Sequence, residues 1–155
     1  MRDAGAALIH SLKYHGVRSA ASSVAARMAL AWGRSGSGDA EVILPVPLHT
    51  RRERERGYNQ SLLLAEELTR ARGVPTVPNL LCRVAYRKAQ VGLGVEERRD
   101  NVRGVFACRS PRAIEGRRIV LVDDVATTGA TLRACAGLLL GCGAKSVRSL
   151  VGALS

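Results

Sequence analysis

Two adjacent aspartates followed by a small, hydroxyl-rich loop mark the stretch RRIVLVDDVATTGAT, residues 117–131. Carboxylates such as Asp123 and Asp124 accept hydrogen bonds from neutral hydroxyls and can approach Mg²⁺ directly or through water. Thr127, Thr128 and Thr131 offer hydroxyl donors, and Gly129 lets the backbone come close to a ligand. A ribose 5-phosphate unit satisfies both halves, with its hydroxyls at the acid pair and its phosphate in the loop. The spacing also fits an acidic turn beside an N-cap threonine with no ligand. A third fit is a metal-dependent phosphatase or receiver-like domain, in which strand-end aspartates hold Mg²⁺.

The flanking residues say what must position this chemistry. RIVLV at 118–122 is a β-branched run of the kind buried on both faces of a parallel sheet. Leu132, Cys135, Ala136, Leu139 and Leu140 recur at helical spacing and predict an amphipathic helix over 131–142, ending at Gly143. A helix start leaves N–H groups unpaired and presents the positive end of its dipole, which suits a phosphate. In open parallel sheets, ligands sit at the carboxyl ends of the strands.

Further elements follow from the same patterns. Residues 17–32 are alanine-rich with Val17, Ala20, Ala21, Val24 and Met28 at helical spacing, and Leu8, Ile9 and Leu12 suggest a shorter helix before them. A flexible glycine–serine loop is expected over 33–39. EVILPVP at 41–47 predicts a short strand stopped by prolines, then a charged loop. A helix is expected over 60–72, with Asn59 as N-cap and Gly73 as stop. Strands are expected near 77–84, at GVFAC (104–108) and at SVRSLVGAL (146–154). The polar stretch between Tyr86 and Gly104 is long enough to be functional or mobile. Strand–helix alternation predicts an α/β domain with a parallel sheet, with no second domain and no repeat.

Composition bounds the partners. With 155 residues, nearly half of them apolar, the chain is expected to be one globular domain. Its aromatics are Trp32, Phe106, Tyr14, Tyr58 and Tyr86, so the core must come from Val, Leu, Ile and Ala. A net charge of +11 points to anionic partners such as phosphates, nucleotides or nucleic acid, or else to an arginine-biased solvated surface. Cys82, Cys108, Cys135 and Cys142 contain no C-x-x-C pair, which argues against a zinc ribbon and fits a reducing, cytoplasmic setting. Cys135 and Cys142 are expected as buried small residues. His10, His15 and His49 are scattered, so a metal role is not expected of them. No signal peptide and no membrane span are expected.

The stretch IVLVDDVATTGAT resembles the 13-residue phosphoribosyl-pyrophosphate (PRPP) signature of the type I phosphoribosyltransferases: two apolar pairs, two acids, then T-T-G-x-T. LPVPLHTRRERERGYNQSLLLAEEL, AQVGLGVEERRDNVRGVF, GAKSVRSLVGAL and LIHSLKYHG further resemble the ComF/GntX branch, so the resemblance spans nearly the whole chain. Members of that branch often carry a four-cysteine zinc ribbon ahead of LIHSLKYHG, which this sequence does not show. The resemblance implies a type I phosphoribosyltransferase fold: a Rossmann-like, mostly parallel sheet flanked by helices. It implies one domain over 1–155, with an N-terminal helical segment (1–40) and a core (41–155) carrying a mobile lid loop at about 86–101.

Roles come with the resemblance. Asp123 and Asp124 would hold the ribose hydroxyls and Mg²⁺, and Ala126, Thr127, Thr128, Gly129, Ala130 and Thr131 would cradle the 5-phosphate. Leu48, His49, Arg51 and Arg52 would occupy the pyrophosphate-loop position, although Glu53 and Glu55 can pair locally with this basic run. Lys88, Arg87 and Arg99 in the lid would neutralise departing pyrophosphate, and lid closure would exclude water. Gln90 and Asn101 match polar positions of the branch, and Tyr58 or Tyr86 would stack on an acceptor base or simply cover backbone. The implied activity is Mg²⁺-dependent transfer of ribosyl 5-phosphate from PRPP to an unidentified base or amine. The alternatives are a non-catalytic PRPP or nucleotide sensor, a protein that binds single-stranded DNA during DNA uptake, or a regulator on the same fold. A homodimer is a further expectation.

Overall fold

The computed structural model describes residues 17–34, 39–48, 53–55, 57–84 and 105–154. Helix α1 (Val17–Arg34) precedes strand β1 (Val42–Pro45), helix α2 (Gln60–Arg72), strands β2 (Leu81–Arg83) and β3 (Phe106–Cys108), strand β4 (Arg118–Ala126), helix α3 (Ala130–Gly141) and strand β5 (Ser146–Leu154). A single 3₁₀ turn (Pro111–Ala113) lies between β3 and β4.

The parallel sheet has the order β1-β4-β5, and β2 and β3 form a separate antiparallel pair. The β-branched runs sit at its centre because both faces are covered. Val42, Leu44, Ile119 and Leu121 point to one side, where they pack with Leu132, Cys135 and Leu139 of α3 and with Leu81 and Phe106 of the β2–β3 pair. Ile43, Val120 and Val122 point to the other side, among Val24, Met28 and Trp32 of α1 and Leu64, Ala65 and Leu68 of α2. This alternation is the two-residue period of a strand, with apolar side chains on both faces. Trp32 is the one large aromatic in the α1–α2 layer, and the Arg72 guanidinium lies over its ring at 5.5 Å.

Helix α2 begins and ends as its sequence predicts. Asn59 has extended dihedrals and its side chain accepts from the Ser61 N–H, while Gly73 takes a left-handed conformation with its N–H bonded to the Thr69 carbonyl. One expectation is corrected. The run 77–84 is not one strand: Thr76 bridges to Ile43 of β1, Pro78 and Asn79 form a turn, and only Leu81–Arg83 pair with β3. Proline denies the ladder a donor, and Asn79 adopts φ 63°, so the run must break there. Cys142 is also not fully buried: it is the half-exposed cap residue of α3, whereas Cys135 is buried as expected.

Candidate functional site

Strand β4 runs further than its apolar residues suggest, and this shapes the site. Its pairing with β1 stops at Val122, opposite Pro45, while its pairing with β5 continues through Asp123 to Ala126. The acid pair therefore lies where β4 has lost one neighbour and keeps the other. On the vacated side the chain after β1 turns away at Val46, Pro47 and Leu48, with the Val46 N–H still bonded to the Val122 carbonyl at 2.8 Å. A cavity of about 200 Å³ opens there, lined by Val46, Pro47, Leu48, Gln60, Ser61 and Arg83, together with Asp123, Asp124, Val125 and Thr131.

Asp123 is fixed by two hydrogen bonds to one carboxylate oxygen. The Ser61 hydroxyl donates to its Oδ1 at 3.0 Å, and the Asp124 N–H donates to the same oxygen at 2.9 Å. Asp124 in turn accepts from the Val125 N–H at 2.9 Å. Burial, and then the neighbouring Asp124 charge, push the Asp123 carboxyl up to about 6, against which the Ser61 bond acts. Burial in this pocket thus disfavours the ionised form of Asp123. Beneath it, burial pushes the Cys135 thiol up to about 12, with Asp123 adding to the effect, so this cysteine stays protonated and inert.

The threonine–glycine loop forms the second half. Gly129 sits at φ 69° as the N-cap of α3, with no side-chain cap bond, so the first N–H groups of the helix have no intrahelical partner. The Thr128 hydroxyl makes a long 3.4 Å contact with the Ala130 N–H. A smaller cavity of about 50 Å³ lies in this turn, lined by Ala126 through Leu132 with Asp123 and Val125. Asp123, Val125 and Thr131 line both cavities. The acidic pocket and the helix-start cradle are therefore contiguous, with acceptors in one and donors in the other.

Helix α2 supplies residues that sequence reasoning missed. Asn59 ties the helix start to the chain after β1: its Nδ2 donates to the Val46 carbonyl at 3.1 Å while its Oδ1 caps Ser61. That bridge sets Gln60 and Ser61, which are 2% and 4% exposed, at the cavity. Arg83, at the end of β2, reaches the same cavity with its guanidinium over Phe106 at 5.5 Å. A polar pair at the start of a helix whose buried face is otherwise apolar was the available signal for Gln60 and Ser61, but capping accounts for such a pair equally well.

Of the expected site residues, Asp123, Asp124, Ala126, Thr127, Thr128, Gly129, Ala130 and Thr131 come together as described, and Leu48 lines the cavity. His49, Arg51, Arg52, Lys88 and Arg99 lie outside the described residues, as do Arg87, Tyr86, Gln90, Asn101, His10 and His15. Tyr58 is half-buried beside Asn59 and does not line the acid-pair cavity. Among the described residues, no group of three or more His, Cys, Asp or Glu side chains converges as a metal cage. No described helix is long and apolar enough to cross a membrane.

Comparison with known proteins places the chain. Residues 59–153 match the family model described as "Phosphoribosyl transferase domain". The chain is 39% identical over 109 residues to "Competence protein F" of Haemophilus influenzae, covering 70% of this chain and 48% of that protein. It is 36% identical over 146 residues to "DNA utilization protein YhgH" of Escherichia coli K12, covering 91% and 63%. It therefore spans about half to two thirds of these relatives' lengths. Among solved structures, a glutamine PRPP amidotransferase from Bacillus subtilis superposes with a TM-score of 0.61 at 23% identity, over 88% of this chain and 27% of that one, a likeness of fold. The parallel sheet with its acid pair and threonine–glycine turn, the matched family model and the competence-protein relatives agree: the chain belongs to the phosphoribosyl transferase domain family, as a ComF-like member.

Proposed function

We propose that the chain binds PRPP and, with Mg²⁺, transfers its ribosyl 5-phosphate to a nitrogen nucleophile. The observation that carries this reading is the contiguity of the two cavities through Asp123, Val125 and Thr131. A sugar phosphate lying across that boundary meets acceptors at its hydroxyls and donors at its phosphate. Asp123, through the carboxylate oxygen that Ser61 and the Asp124 N–H leave available, and Asp124 would accept from the ribose hydroxyls. The first N–H groups of α3 and the hydroxyls of Thr127, Thr128 and Thr131 would hold the 5-phosphate.

Two adjacent carboxylates beside a phosphate cradle fit a hard cation that also needs phosphate oxygens, and do not fit an all-protein cage among the described residues. Asp123 and Asp124 would hold Mg²⁺, directly or through water, and the ion would neutralise charge on the leaving diphosphate. In the transfer, the bond from the ribosyl carbon to the diphosphate oxygen breaks, a bond to the incoming nitrogen forms, and pyrophosphate leaves. The described residues supply positioning and charge complementarity; none is placed to form a covalent intermediate.

The test is pyrophosphate release from PRPP and Mg²⁺ with a panel of purine and pyrimidine bases and simple amines. Release dependent on one acceptor, lost in Asp124→Asn together with PRPP affinity, supports the reading. PRPP binding without turnover on any acceptor would reduce it to binding alone. The relatives' names and the +11 charge favour a second partner, single-stranded DNA. Its affinity should fall steeply between low and moderate salt, and a salt-independent interaction would refute phosphate contacts.

A further inference from the structure

Among the described residues, Gln60 is the one buried side chain with a polar atom left over. It is 2% exposed, and its Nε2 has no hydrogen-bond partner among the described residues. Buried amide groups nearly always find a partner, and one left unpaired marks a place where something else completes it. Gln60 is not adrift in the core: it lines the larger cavity beside Ser61, Arg83, Asp123 and Asp124. It is also the first residue of α2, a 13-residue helix whose opening N–H groups and dipole face the same end of the sheet.

We propose that Gln60 is a ligand-binding residue whose carboxamide N–H donates to an oxygen of the diphosphate group of PRPP. The inference rests on the PRPP reading of the site and names a contact within it. The chemistry of the cavity decides which part of the ligand is involved. Hydroxyls of a sugar are met by the acceptors of Asp123 and Asp124, and the 5-phosphate lies beyond them in the Thr127–Thr131 turn. The part of the larger cavity that the turn does not share is lined by Val46, Pro47, Leu48, Gln60, Ser61, Arg83 and Asp124. A group extending from the sugar into that part meets a helix start, a guanidinium and an amide donor, which suit an anionic oxygen-rich group. Asn59 makes the placement firm, since its two hydrogen bonds lock the start of α2 onto the Val46 carbonyl.

The contact also accounts for a polar residue at a position where an apolar one would pack. A donor sealed without a partner weakens the ligand-free fold, and the ligand relieves it. Removing the donor therefore has opposite effects on fold and affinity, which a merely structural glutamine would not show.

Calorimetric titration of the whole chain with Mg²⁺ and, separately, pyrophosphate, ribose 5-phosphate and PRPP tests this, alongside thermal melts without ligand. Gln60→Met keeps the side chain's length and removes its donor. It should weaken pyrophosphate and PRPP about tenfold, leave ribose 5-phosphate within about twofold, and hold or raise the ligand-free midpoint. Gln60→Ala gives the same affinity readout should the methionine variant fail to fold. Wild-type affinity for pyrophosphate and PRPP in either variant would overturn the assignment while leaving the PRPP reading intact. An equal loss for ribose 5-phosphate would also overturn it, by placing the effect on the sugar-phosphate half. A wild-type chain that binds none of the three would overturn both readings.

Discussion

Replacing Asp123 by asparagine should stabilise the ligand-free protein while removing PRPP binding. Burial and the Asp124 charge raise the Asp123 carboxyl from its ordinary 3.8 to about 6. The folded state therefore prefers the protonated acid. The stability this confers is complete below 3.8 and is lost as pH rises through about 6. At about 1.4 kcal/mol per pH unit between the two values, the ionised carboxylate costs the fold roughly 3 kcal/mol at pH 7.5. Asparagine carries no charge, and its carbonyl oxygen can still accept from the Ser61 hydroxyl and the Asp124 N–H, which both meet Oδ1. Its Nδ2 must find a new partner, so the net gain should be about 1–3 kcal/mol, or roughly 5 °C in melting temperature for a domain of this size. Paired melts in Mg²⁺-free buffer at pH 7.5 and 4.5 provide the assay. The advantage of Asp123→Asn should shrink to about 1 kcal/mol or less at pH 4.5, where the folded wild type is already protonated. A variant less stable than wild type at pH 7.5, or an advantage that does not change with pH, would refute the electrostatic account.

Two further substitutions probe the elements that hold the site. Asn59→Ala removes both the N-cap of α2 and the bond to the Val46 carbonyl, and should cost about 2 kcal/mol in urea unfolding, with weaker PRPP binding because Ser61 is no longer held toward Asp123. A loss below about 0.5 kcal/mol would show that the bridge does not position the helix. Gly129→Ala places a Cβ at φ 69°, where it would meet only the flexible end of Arg133 at 3.2 Å, so the cost is conformational and about 1–2 kcal/mol. Ribose 5-phosphate affinity should fall with it, and unchanged affinity would show that the turn does not hold the phosphate.

The local signals in the chain and the arrangement of the site differ in how far they could be read ahead of the structure. The strand at RIVLV, the helix behind it, and the Asn59 and Gly73 boundaries of α2 are all written in short-range patterns. Hydrophobic period, capping residues and a glycine free to adopt positive φ act within a few residues of themselves. The Asp–Asp and Thr–Thr–Gly stretch was likewise legible, because strand, turn and helix start follow one another in the chain and leave the two halves adjacent. The break of 77–84 into a turn and a shorter strand was not legible, because an apolar run looks alike whether it pairs with β1 or with β3. Pro78 and Asn79 carried the local warning.

What the sequence alone determined, then, is the ligand chemistry of one contiguous loop, since acceptors and donors there are set by residue identity and chain geometry. Only the tertiary structure decided that β4 loses its β1 neighbour at Val122 and keeps β5, which opens a cavity beside the acids. Only it brought Ser61 from 62 residues away to the Asp123 carboxylate and left the Gln60 Nε2 buried without a partner among the described residues. Those facts depend on which helix covers which face of the sheet and on where each pairing ends. Such contacts join residues distant in sequence, and no local period or propensity encodes them.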